Sequence, residues 1–144
     1  MDLAVYKDYC LIIGDNVDTL QKTGKVNRTW GYEVVWTSND KYCGKILIFE
    51  KAGNTTALTI HKEKHKSWFV NAGKVKVSYI DTRTGERKES ELQEGMTFEA
   101  GPVAPYQIQA LHDETMLFEV STPDHQNDNF LLSNDEKVED SDNQ

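Results

Sequence analysis

The chain has 144 residues, 38% of them hydrophobic, and a formal net charge of -8. That length predicts one domain with a real core, and no apolar run approaches a membrane span. The acidic balance argues against nucleic acid, whose binding rests on a basic footprint, so the expected partner is a small molecule.

The first thirty residues carry the weakest pattern. MDLAVYKDYCLII fits an edge strand, and residues 15–23 fit a short helix capped by Asp15 or Asn16 and ended by Gly24. From Trp30 the pattern sharpens. WGYEVVW alternates aromatic and polar residues, TSNDKYCG reads as a turn, and KILIFEKAGNT as a strand running into another turn. In TALTIHKEKHKSWFVNAG two strand-like runs flank a lysine-rich turn. Side chains two apart on a strand share a face, which places Ala57, Thr59 and His61 together and Lys66, Trp68 and Val70 together. Two strands thereby offer Thr59, His61, Lys66 and Trp68 to one space, as a pocket wall would.

KVKVSYI and residues 86–92 then form a hairpin around Asp81–Gly85, and three more short strands follow at residues 96–100, 105–111 and 115–120. Turn signals at roughly ten-residue spacing with no long helix predict an antiparallel sandwich or barrel. Residues 134–144, with five acids and one valine, cannot bury enough surface to order themselves and are expected to be a disordered acidic tail. The two cysteines, Cys10 and Cys43, have no CxxC spacing and are expected to be reduced. With no charged leader ahead of an apolar run, the expected location is the cytoplasm.

Five blocks, TWGYEVVW, YCGKILIFEKAG, TALTIHKEKHKSWFVNAGKVKV, LQEGMTFEAGPVAPYQIQAL and FEVSTPD, resemble the cupin superfamily. Their order and wording are most similar to its sugar-related branch, which includes the C-terminal domain of type II mannose-6-phosphate isomerases. The resemblance covers residues 30–124. It implies a small all-β antiparallel jelly-roll barrel over residues 30–133, with residues 1–29 as an N-terminal extension packed on it. It also implies a homodimer, since unpaired sheet edges and an apolar outer face favour association.

Family members usually bind a divalent metal through a His or Gln, a His two residues on, a Glu five further, and a His in the second motif. The matching positions here hold Thr59, His61, Lys66 and Tyr106. Only His61 is retained. Threonine and neutral tyrosine are poor ligands and an ammonium repels a cation, so no metal or other cofactor is expected.

Three functions stay open. A metal-free barrel could bind a sugar or anionic sugar phosphate through Thr59, His61, Lys66, Trp68 and Tyr106. A sugar isomerase or epimerase could use His61, the one catalytic candidate, as acid and base or as ligand to a divalent metal held otherwise than in the family. A barrel filled by Trp68 and Tyr106 could serve only as an interaction module. A Lys66 that points inward needs an anion, either a ligand or a strand carboxylate such as Glu33 or Glu99. Otherwise Glu33 and Glu99 read as outward-facing charges, His65 as part of a solvated loop, and Lys62 and Lys64 as facing water.

Overall fold

The computed structural model describes residues 9–12, 19–22, 24–123 and 129–131, and for 9–12, 19–22 and 129–131 it describes the backbone only. Among the described residues there is no helix, and so none long and apolar enough to cross a membrane. The short helix expected over residues 15–23 gives way, where it is described, to strand β2 (Thr19–Lys22), which pairs with β1 (Tyr9–Ile12) in a two-stranded sheet of its own. Thr19 is β-branched and the Ile12–Thr19 pair closes the ladder. Cross-strand pairing wins there over a weak capping signal.

The remaining strands are β3 (Gly24–Arg28), β4 (Gly31–Ser38), β5 (Cys43–Phe49), β6 (Thr59–His61), β7 (Lys66–Ala72), β8 (Lys74–Asp81), β9 (Glu86–Gln93), β10 (Thr97–Ala100), β11 (Tyr106–Ala110), β12 (Thr115–Ser121) and β13 (Asn129–Leu131). They form a six-stranded sheet in the order β10-β7-β12-β5-β4-β3 and a five-stranded sheet in the order β13-β6-β11-β8-β9. Every pairing is antiparallel. Residues 134–144, expected to be a disordered tail, lie outside the described residues.

The two sheets face one another as a flattened jelly roll. Leu47, Phe49, Trp68, Val70 and Leu117 from one sheet meet Val75, Val77, Tyr106, Ile108 and Ala110 from the other in a single buried core. Alternation produces this directly: on β12, Leu117 and Glu119 point inward while Phe118 and Val120 point out. Trp30 stacks on Phe49 at 4.5 Å and seals the end of the core next to the β3–β4 turn. Burying each such ring contributes about 2–3 kcal/mol.

The β7–β8 turn depends on Gly73. Its φ is +83°, in the left-handed region, and a Cβ there would stand 2.9 Å from the Thr115 Cα. This turn passes β7, which carries Lys66 and Trp68, into β8, which walls the opposite side of the interior.

Candidate functional site

Tyr106 opens β11 and is the register partner of both Thr59 on β6 and Tyr79 on β8. Its Oη lies 3.4 Å from His61 Nε2. On the facing sheet Lys66 and Trp68 alternate inward from β7. Lys66 Nζ lies 3.8 Å from Glu119 Oε1, and Trp68 Nε1 donates to the same oxygen at 2.8 Å. Tyr106 is near enough to favour the charged form of Lys66. His61, Lys66, Trp68 and Tyr106 therefore converge as the alternation predicts. Thr59 is next to them in the sheet, but its hydroxyl donates to the Ala57 carbonyl at 3.0 Å.

The charges belong to a longer row. Arg28 on β3 lies 3.4 Å from Glu33 on β4, and Lys45 on β5 lies 3.2 Å from the same Glu33 oxygen. Lys45 is the register partner of Glu119 on β12, which pairs with Lys66 on β7. Positive and negative side chains thus alternate across five neighbouring strands. Glu33 is consequently buried rather than an outward-facing charge, and the carboxylate holding Lys66 is Glu119, not Glu33 or Glu99. Glu99 stands on the outside of β10, paired with His65 at 3.1 Å.

Glu119 is the functional residue that sequence reasoning missed. The pattern TMLFEVS sets it two positions from Leu117, on the core face, where an unpaired carboxylate would be intolerable. Lys64 is a second correction: it is buried, at 4% exposure, and does not face water.

Electrostatics follow from this crowding. Burial would lower the Lys66 ammonium, but Glu119 and Tyr106 outweigh it and hold Lys66 above the ordinary lysine value. Burial would likewise raise Glu119, yet Lys66, Lys45, Lys64 and the Trp68 N–H keep its carboxyl below the usual range. Burial lifts the Tyr106 phenol, so it stays protonated. Lys64 is lowered to about 8, first by burial and then by Lys66 and Lys45. Glu119 Oε2 and Ser121 Oγ are buried without a hydrogen-bond partner among the described residues.

Beside this network lies a cavity of about 290 Å³, walled by Trp68, Phe98, Tyr106, Val77, Tyr79 and Leu92, with Ser90 at its polar edge. Trp68 packs its ring on Phe98 at 4.6 Å and meets the edge of Tyr106 at 5.0 Å. Those rings separate the cavity from Lys66, which is not among its lining residues.

No protein-family model matches the sequence, and no curated protein does. Solved structures do match. Oxalate decarboxylase from Bacillus subtilis superposes with a TM-score of 0.67 at 18% identity, over 76% of this chain and 30% of that one. CapF bound to the inhibitor 3-isopropenyl-tropolone gives 0.68 at 14%, over 84% of this chain and 36% of that one. The capsular polysaccharide assembling protein CapF from Staphylococcus aureus gives 0.67 at 15%, over 84% and 37%. The fold is that of the cupins. The chain spans about a third of the length of each of these proteins, and at such identities the likeness is one of fold.

The cupin metal positions can be tested against these side chains. Among the described residues no group of three or more His, Cys, Asp or Glu stands together as a metal site. At the four matching positions the donors are one imidazole, a protonated phenol, a hydroxyl already donating to a backbone carbonyl, and an ammonium held charged by Glu119. One imidazole with three such neighbours is a poor donor set for a divalent cation.

Proposed function

We propose that this chain is a metal-independent cupin domain that binds a small, sugar-sized polar molecule in the cavity beside Trp68 and Tyr106. One observation carries the reading: where cupins resembling it place a glutamate ligand, Lys66 supplies a built-in positive charge, neutralised from within by Glu119. The ligand then has no charge to satisfy there. Aromatic walls with a serine hydroxyl at the edge and no free cation among the described lining residues suit an uncharged sugar better than a sugar phosphate.

The test is elemental analysis of the purified protein together with a thermal-stabilisation screen of neutral sugars and sugar phosphates. Absence of stoichiometric metal with stabilisation by a neutral sugar is the expected result. Stoichiometric metal accompanied by turnover of a sugar phosphate would overturn it. A second reading, an isomerase or epimerase like the mannose-6-phosphate isomerases, is favoured by the 3.4 Å approach of Tyr106 Oη to His61 Nε2, which could pass a proton between cavity and interior.

A further inference from the structure

The cavity beside Trp68 and Tyr106 has an apolar floor and a polar mouth. Trp68, Val77 and Tyr106 form the floor and are 2%, 6% and 7% exposed. Leu92 and Phe98, half-buried, close it on the side of the edge strands β9 and β10. Ser90 and Tyr79, both exposed, stand at its mouth. Glu99, the other exposed member of the wall, turns its carboxylate to His65 at 3.1 Å. The polar atoms further in are already engaged: Trp68 Nε1 donates to Glu119 at 2.8 Å, and Tyr106 Oη lies 3.4 Å from His61 Nε2. Among the described residues, the side chains of the wall therefore keep two hydroxyls for a ligand, those of Ser90 and Tyr79, and both are at the mouth.

A free sugar carries hydroxyls around its whole ring. Seated on the floor it would leave most of them without partners, and each buried hydroxyl without a hydrogen bond weakens binding. Held at the mouth it keeps its hydroxyls on Ser90, Tyr79 and water, but the apolar floor then contributes nothing. A ligand with two unlike ends satisfies both zones. At about 290 Å³ the cavity is at the small end for ligand sites, which run to about 300–1,000 Å³, so it suits one ring and not a lipid chain. Trp68, Phe98 and Tyr106 present aromatic rings to it, and such rings pair favourably with another ring, face or edge. We infer, on the reading of this site as a neutral-sugar pocket, that its ligand is a glycoside with an aromatic aglycone. The aglycone lies among Val77, Leu92 and Phe98, and the sugar stays at Ser90 and Tyr79.

Isothermal titration calorimetry on the full chain, with matched methyl and phenyl glycosides of glucose, galactose and mannose, tests this. In at least one pair the phenyl member should bind tighter than the methyl member by roughly tenfold or more. Equal affinities within every pair that binds would overturn the inference and leave the neutral-sugar reading standing. No binding by any glycoside would overturn both. Phenol binding as tightly as the phenyl glycosides would also overturn both, since the sugar would then contribute nothing. Two variants separate floor from mouth. Leu92→Asn, on an edge strand, should bring the phenyl-to-methyl ratio down towards one with an unchanged circular dichroism spectrum. Ser90→Ala, at an exposed position, should weaken both members of the pair by a similar factor, and it decides alone if Leu92→Asn fails to fold. A ratio untouched by Leu92→Asn, or a Ser90→Ala variant that weakens neither member, would overturn the inference.

Discussion

Lys66 and Glu119 are worth most when considered as a pair. Lys66→Met keeps the bulk of the stem but leaves a carboxylate buried with one partner lost, and should destabilise the fold by about 3 kcal/mol, read from chemical denaturation. An unchanged midpoint would mean that Glu119 finds water instead. Lys64 has the opposite sign. Its folded form loses its proton near pH 8, whereas an unfolded lysine keeps it to about 10.4. Between those values the unfolded chain holds more protons, so stability contributed by this group rises with pH. The denaturation midpoint of the native chain, measured relative to Lys64→Met, should therefore climb from pH 8 to pH 10; a flat difference would show Lys64 to be hydrated. Glu119, by contrast, escaped a reading of residues one at a time, because its block was read for its likeness to relatives and not for which face each side chain takes. Lys64 was misplaced because turn composition predicts solvent, while the return of the chain past Lys45 and Glu119 was not visible locally.

At the level of elements, the strands from β4 to β12 were legible because each alternates over several residues and ends in a turn signal. Strands β3 and β13 were not: GKVNR and NFL are short and pair with β4 and β6 only through the sheet. The wall contributed by Tyr106 was legible as a position, but its contact with His61 depends on β11 pairing with β6 through a single register pair. Gly73 connects the element scale to stability. Gly73→Ala forces a Cβ against Thr115 at a left-handed φ, and should cost about 2–3 kcal/mol and lower Tm by several degrees in differential scanning calorimetry. A neutral effect would mean that the β7–β8 turn readily adopts another form.

For the molecule as a whole, the interior charge decides which ions it admits. Lys66→Glu combined with Tyr106→His would put two further donors beside His61 and exchange an ammonium for a carboxylate next to Glu119. That double variant should be less stable than the native chain in chelator and regain stability with added zinc, which isothermal titration calorimetry would register as binding absent from the native chain. No zinc response in the variant would show that these positions do not converge on one point.

The alternating row from Arg28 to Lys66 also bears on how the strands find one another. Its five members come from β3, β4, β5, β12 and β7, and their positions in the chain run from 28 to 119. A slip of one residue in any of these ladders turns its charge to the opposite face and leaves its neighbours on both sides buried and unmatched. Each orphaned charge costs several kcal/mol, far more than a displaced leucine in a forgiving apolar interior. Hydrophobic collapse alone would accept several alignments of such apolar strands; the ion row accepts one, and so acts as a proofreading device for strand register.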